Sequence, residues 1–393
     1  MKIVIVPSGF KECMDAEDVA LAMERGAMRF NESAKIEVVP MIDGGEGFAK
    51  TITRLKSGKL IYLEATGPVG KRIHTYFGMF EKNGKQTAVI EMAAVAGLKH
   101  VPQLERNPLL TTTYGVGELI LAALDLRADR ILIGCGDSGT SDGGAGMAQA
   151  LGVKFMDTNG EIIDIHGGAD LLKAKHIDAT GIDRRLSEVK IDAACNWENV
   201  LCGERGVARV FGPQKGASPE QAGILSDAME HYAGLIENTF SLDVRLIPGG
   251  GASGGLGAGL AAFAGASLHP RFSLIKKYIN IEEKIANADI VLTAEGSIDS
   301  QTPHGKIPTE VARIAKRYGI PVIAITGTIG KGAELNYEAG IDAFLSIIQK
   351  PTSLEKAILY APEWIEDSTE SVMRQIAIGL RIAKRNRVKE AAV

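Results

Sequence analysis

The chain has no excess of positive charge: 44 Lys and Arg stand against 48 Asp and Glu, a formal net charge of -4. That balance excludes a nucleic-acid or anionic-membrane surface, which needs a basic face, and leaves room only for small anions at local sites. Cysteine is scarce. Cys13, Cys135, Cys195 and Cys202 lie far apart without a CxxC pair, which argues against disulfides and zinc and fits free thiols in a reducing cytoplasm. No apolar run reaches the roughly 18 residues of a membrane span, and the N-terminal run 2–6 ahead of Pro7 is too short for a signal peptide. Repeats, low-complexity tracts and a P-loop sequence are all missing. What remains is an ordinary soluble cytoplasmic globular protein, and at 393 residues two domains are expected.

Glycine is what the sequence has in quantity where chemistry is expected. The stretch 134–152, GCGDSGTSDGGAGMAQALG, follows a strand-like apolar run at 131–133, and Ser141 or Asp142 caps a predicted helix through Leu151. Exposed N–H groups at the positive end of a helix favour a phosphate. Asp137 and Asp142 would repel a bare phosphate, so they make more sense beside a Mg²⁺ ion that bridges carboxylate and phosphate. A tight glycine turn with a capping aspartate explains the same residues without any ligand.

Along the chain, 2–6 reads as a buried strand, 15–30 as a helix and 36–40 as a second strand, with Asp43-Gly-Gly-Glu-Gly47 in the turn at its carboxyl end. Ligands of such sheets bind beyond the carboxyl ends of strands, where Lys11, Asp43 and Glu46 fall. From about Glu64 the strands shorten. A hairpin is expected over 73–80 and 86–91, a polar loop over 102–113 and a helix over 116–126. Another strand is expected at 191–195, and a helix starts at Ser218-Pro-Glu-Gln221, which has capping-box spacing. A second glycine cluster, 248–259, is expected to join a strand at 244–247 to a helix. Its GxGxxG at Gly249, Gly251 and Gly254 lacks the acid that a dinucleotide fingerprint requires, and close helix packing competes with anion contact there.

Strand–helix alternation returns at 289–293, with a polar loop at 295–306, a helix at 308–318 stopped by Gly319, strands at 321–326 and 343–347, and a helical C-terminus whose basic residues 381–389 read as a solvated face. Residues 1–63 and 286–393 are therefore expected to build one discontinuous doubly wound α/β domain, with a mixed α/β domain, 64–285, inserted. Lys11, Asp43, Glu46, Asp142, Glu295, Asp299, His304 and Lys306 all stand at strand ends or glycine turns. Carboxylates to hold Mg²⁺, lysines to neutralise charge and backbone N–H groups for phosphate oxygens are the components of phosphoryl transfer. His304 reads as a loop hydrogen-bonder. Lys215 is either a turn lysine or a ligand contact.

The motifs Asp43-Gly-Gly-Glu-Gly47, Ile90-Glu-Met-Ala-Ala94, Asn107-Pro-Leu-Leu-Thr-Thr112, Asp142-Gly-Gly-Ala-Gly146, Phe211-Gly-Pro-Gln-Lys-Gly216 and Asp299-Ser-Gln301 together resemble the type-1 glycerate kinases, in order and over nearly the whole chain. The resemblance implies ATP- and Mg²⁺-dependent phosphorylation of glycerate, usually to 2-phosphoglycerate, between a flavodoxin-like domain and an inserted one. Candidate roles follow: Asp43 and Asp142 as metal ligands or general base, and Lys11 as charge neutraliser. Ser138, Gly143, Gly144, Lys215, Gly251, Ser253 and Gly254 are nucleotide-binding candidates, and Glu46, Glu295, Asp299, Gln301 and Lys306 are substrate-binding candidates. The partners implied are a small hydroxy acid and a nucleotide, and a homo-oligomer is compatible with the sequence. Departures from the family pattern cluster at polar positions. The chain reads Ser8-Gly-Phe-Lys-Glu-Cys13 in place of Asp-Ser-Phe-Lys-Gly-Ser, and it has Asp137 for Gly, Ser141 for Asn, Asn196 for Asp and Ser297 for Arg. They suit a kinase for a related hydroxy acid or a non-catalytic homologue as readily as a glycerate kinase.

Overall fold

The computed structural model describes residues 1–10, 13–30, 34–41 and 44–390, the last four of these as backbone only. Two compact units divide the chain, Met1–Ile42 with Ile279–Val393 and Asp43–Tyr278.

The first unit opens with β1 (Lys2–Pro7), α1 (Ala16–Phe30) and β2 (Lys35–Val38). Asp15 starts α1: its Oδ1 accepts from the N–H groups of Glu17 and Asp18 at 2.9 and 2.8 Å, satisfying donors that a helix start leaves bare. Val19, Ala20, Met23 and Ala27 form the buried face of the helix.

The second unit begins with α2 (Phe48–Leu55) and the antiparallel run β3 (Lys59–Thr66), β4 (Arg72–Lys82) and β5 (Lys85–Glu91). It continues through α3 (Ala93–Ala96), α4 (Tyr114–Asp125), β6 (Arg130–Gly134) and α5 (Ala145–Ala150). A small antiparallel sheet follows, made of β7 (Lys154–Met156), β8 (Ile162–Ile163) and β9 (His176–Asp178). Then come β10 (Lys190–Cys195), α6 (Val207–Phe211), α7 (Pro219–Phe240), α8 (Ala252–Phe263), β11 (Ser267–Pro270) and α9 (Arg271–Ile279). The main sheet has the order β11-β10-β6-β5-β4-β3, parallel from β5 to β11 and antiparallel beyond. Segment 43–63, expected with the first domain, carries α2 and β3, and β3 pairs along its whole length with β4. The capping box of α7 forms as expected, Gln221 N–H on Ser218 Oγ at 3.2 Å and Ser218 N–H on Gln221 Oε1 at 2.8 Å. The strand expected at 244–247 is not formed: that segment is irregular chain, so the glycine cluster after it does not sit on a strand-to-helix turn.

The chain returns to the first unit with α10 (Ile281–Ala286), β12 (Ile290–Ile298), α11 (Ile307–Arg317), β13 (Val322–Ile329), α12 (Leu335–Glu338), β14 (Ala343–Ser346) and α13 (Leu354–Glu390). Its sheet is wholly parallel in the order β14-β13-β12-β1-β2, the 2-1-3-4-5 flavodoxin-like arrangement when strands are counted within the unit. Ile3, Ile5, Leu292 and Ile325 are buried in its core beside Val19, Met23 and Trp364. Each such side chain contributes about 1.5–3 kcal/mol by leaving water. In the second unit, Ile90, Leu119, Ile131, Ile133 and Leu256 share one core, and Phe155, Met229, Tyr232 and Phe263 a second.

Candidate functional site

Residues expected to act together fall into two groups, one in each unit. Lys11 and Asp43 lie outside the described residues.

In the second unit the group is built on the loop that leaves β6. Its backbone is tied to the segment after β5 by Gly139 N–H on Ala96 O and Leu98 N–H on Asp137 O, both 2.9 Å. Asp137 adopts a left-handed conformation, φ 49°, unusual for a side chain larger than glycine. Its Oδ2 accepts the Glu46 N–H at 3.0 Å and lies 2.0 Å from where a Cβ on Gly45 would be, so the 44–47 turn rests directly on this carboxylate. Glu46 itself is exposed and pairs with Lys99 at 3.5 Å.

Asp142 is fully buried and accepts four hydrogen bonds. Its Oδ2 accepts from Thr113 N–H and Thr113 Oγ1, each at 2.8 Å, and from Gly146 N–H at 3.1 Å, while Oδ1 accepts from Gly144 N–H at 3.1 Å. A carboxylate offers about two lone-pair positions on each oxygen, so Oδ2 is fully engaged and Oδ1 accepts one bond. Burial pushes this carboxyl up, against four hydrogen bonds that favour its charged form. The geometry gives Asp142 the part of a bracket that fixes the start of α5 against the start of α4.

The glycines beside it are also engaged. Gly143 donates its N–H to Gly254 O at 3.0 Å, and a Cβ on Gly254 would lie 1.9 Å from Thr140 O. Ser253, Gly254 and Gly255 form a left-handed run, φ 54°, 72° and 90°, inside the nominal span of α8. Gly251 donates to Asn199 O at 3.0 Å. The two glycine clusters thus serve to let two backbones touch. Gly143, Gly144, Gly251 and Gly254 have packing or hydrogen-bonding duties that the sequence had offered to phosphate.

Ser138 and Lys215 differ. Lys215 is buried, follows Pro213 in a single 3₁₀ turn, and donates from Nζ to Ser138 Oγ at 2.8 Å and Thr140 O at 2.5 Å. Neither partner is charged, and desolvation pulls its pKa down to about 7, with Asp142 pulling weakly the other way. Close by, the hydroxyls of Thr140, Ser141 and Ser253 are buried with no hydrogen-bond partner among the described residues.

Glu91 was not singled out as a site residue from sequence. It ends β5 in register with Gly134, is fully buried, and accepts the Ala49 N–H at 3.1 Å, so it serves the bare amino end of α2. Burial raises its carboxyl to about 7, against hydrogen bonds from Ala49 and Gly47. A lone acid closing the apolar run of β5 was the available signal.

In the first unit the group lies at the carboxyl end of β12, next to the point where strand order reverses between β1 and β12. Lys306 Nζ stands 3.5 Å from Asp299 Oδ1 and 3.8 Å from Glu295 Oε1, partly exposed. Asp299 also accepts the Gln301 N–H at 2.9 Å, and despite some desolvation this bond and Lys306 hold its carboxyl below the usual range. Gln301 is exposed, and His304 donates its backbone N–H to Gln301 O at 3.0 Å. No cluster of three or more His, Cys, Asp or Glu side chains able to hold a metal is present among the described residues. Mg²⁺ needs no such cage, since it is commonly held by one or two carboxylates together with phosphate oxygens.

The profile of the glycerate kinase family matches residues 3–377. The chain is 42% identical over 383 residues to a glycerate 2-kinase of Escherichia coli K12, covering 98% of this chain and 100% of that one. It is 43% identical over 370 residues to a glycerate kinase of Halalkalibacterium halodurans, covering 94% and 97%. A solved structure from Salmonella typhimurium LT2, provisionally named glycerate kinase 2, superposes with a TM-score of 0.80 at 42% identity, covering 97% of this chain and 99% of that one.

Proposed function

This chain belongs to the glycerate kinase family, a small-molecule kinase that transfers phosphate to a hydroxyl group, and from that premise we propose that it phosphorylates glycerate with ATP, giving 2-phosphoglycerate. The observation that carries this reading is the loop after β6, which joins a buried lysine to neutral hydroxyl and carbonyl oxygens at a strand carboxyl end, within a chain matched from end to end by proteins named glycerate kinase. In the reaction a glycerate hydroxyl oxygen bonds to the γ-phosphorus as the bridging bond to ADP breaks, and the hydroxyl proton passes to a base. Mg²⁺ would neutralise phosphate charge and would be held by carboxylate and phosphate oxygens. Asp43 keeps the proposed role of metal ligand or general base, and Lys11 that of charge neutraliser. Asp142 takes neither part in this proposal, because it is fully buried and its four hydrogen bonds already hold the loop together. Glu46, Glu295, Asp299, Gln301 and Lys306 are the proposed substrate contacts, with Lys306 paired to two acids. Water-soluble substrates suit a cytoplasmic location, and no helix among the described residues is long and apolar enough to cross a membrane.

The test is to incubate purified protein with ATP, Mg²⁺ and D-glycerate and to resolve 2-phosphoglycerate from 3-phosphoglycerate by ³¹P NMR. Accumulation of ADP with 2-phosphoglycerate is expected. Thermal stabilisation by ATP with no ADP from any of a panel of 2-hydroxy acids would replace the kinase reading with that of a nucleotide-binding homologue without turnover.

A further inference from the structure

We propose that Lys215 and Ser138, with the hydroxyls of Thr140, Ser141 and Ser253, form a phosphate-binding site within the second unit, and that the group it takes is a phosphate of the nucleotide. The identity of the nucleotide rests on the kinase reading; the phosphate site does not.

A protonated lysine has three N–H donors, and Lys215 uses two, on Ser138 Oγ and Thr140 O. Because Ser138 Oγ accepts from the lysine, its own O–H is left to donate outward. Thr140 and Ser141 are 0% and 1% exposed, and their hydroxyls, like that of Ser253, have no partner among the described residues. Buried polar side chains are normally satisfied, so three orphaned hydroxyls on neighbouring residues indicate a group that the protein alone does not supply. The residues that carry them are neighbours in the fold. Thr140 is the residue whose carbonyl Lys215 grips, Ser141 follows it, and a Cβ on Gly254, next to Ser253, would fall 2.9 Å from Ser141 Cα.

Chemistry selects the anion. A carboxylate is planar and best matched by the paired donors of a guanidinium, whereas a phosphate presents tetrahedral oxygens that accept several donors from different directions and pairs well with the point charge of lysine. One lysine bonded to a serine hydroxyl, with further unpartnered hydroxyls on neighbouring residues, fits the second description. Burying a charged lysine among neutral oxygens is costly, and Asp142, the charged group that acts on it, offsets that cost only in part. An arriving phosphate supplies the missing charge, so binding should draw a proton onto Nζ.

Isothermal titration of the whole protein at pH 8 in two buffers of different ionisation enthalpy tests this, with MgADP, inorganic phosphate and D-glycerate as probes. Lys215→Met keeps the apolar stem, and Ser138→Ala removes only the hydroxyl. The expected result is a loss of MgADP and phosphate affinity of about tenfold or more in Lys215→Met and about threefold in Ser138→Ala, with D-glycerate unchanged. Net proton uptake on MgADP binding should appear in wild type and vanish in Lys215→Met. MgADP and phosphate binding within twofold of wild type in both variants would overturn the proposal, as would loss confined to D-glycerate, which would make this a carboxylate site. Should Lys215→Met not fold, the MgADP and phosphate arms of Ser138→Ala decide. Lysine-dependent phosphate binding without 2-phosphoglycerate formation would sink the kinase reading and leave this site standing.

Discussion

Two lysines in this protein look alike in sequence and are opposite in structure. Lys215 in Gly-Pro-Gln-Lys-Gly and Lys306 in His-Gly-Lys both stand in polar, glycine-bearing loops. Lys306 is partly exposed between two carboxylates, 3.5 and 3.8 Å away. Lys215 is buried against neutral oxygens and held near neutrality by desolvation. The difference teaches that a motif supplies the side chain, while its surroundings decide whether that side chain stands in water among opposite charges or is buried among neutral oxygens.

The comparison can be broken first at the bracket that shapes the buried loop. Asp142→Ala leaves the amides of Thr113, Gly144 and Gly146 without their acceptor, and chemical denaturation should show a loss on the order of 3–5 kcal/mol, the largest effect expected here. A loss below about 1 kcal/mol would mean an ordinary surface cap and would discredit the bracket.

Lys215→Met comes next, with the opposite sign. The folded pKa, about 7, lies below that of the unfolded chain, so folding carries a penalty that is full below pH 7 and is relieved as the pH rises toward the ordinary lysine value. Wild-type stability should therefore climb between about pH 7 and 10 on this account, and Lys215→Met should lack that climb and exceed wild type by about 1–3 kcal/mol at pH 6. Equal pH slopes in the two proteins would refute the desolvated lysine.

Glu91 sharpens the contrast from the acid side. Its folded value of about 7 lies above the unfolded carboxyl value, so its contribution is lost as pH rises from about 4.5 through 7. Glu91→Gln keeps an acceptor for Ala49 N–H and should remove that decline, gaining about 1–2 kcal/mol at pH 8. Melting curves at pH 4.5 and 8 would check it. Lys306→Met should move stability least, by under about 1 kcal/mol, because a partly exposed pair is screened. Under the kinase proposal its kcat/KM for glycerate should nonetheless fall about tenfold or more, and an unaltered kcat/KM would remove Lys306 from the substrate contacts.

Much of the fold was legible. The runs at 2–6, 131–133 and 191–195, apolar but for Lys2 and Asp192, became β1, β6 and β10, because a strand buried on both faces is apolar over nearly its whole length. The run at 244–247 has the same look and forms no strand, since no neighbouring strand takes it as a partner. Residues 43–63 show why a boundary is hard to place by texture: α2 and β3 could open either domain until β3 finds β4.

Residue types and their order determined by themselves the family and the flavodoxin-like sheet drawn from both chain ends, because these follow from local periodicity and from motifs at strand ends. Tertiary structure alone decided what those residues have left to offer. Asp142 and the glycines at 143 and 144 are hydrogen-bonded or packed by partners 29 or more positions away or by their own turn, and Lys215 meets Ser138 across 77 positions. Hydrogen-bond saturation and desolvation are properties of contacts between distant segments, and no local pattern of residues encodes them.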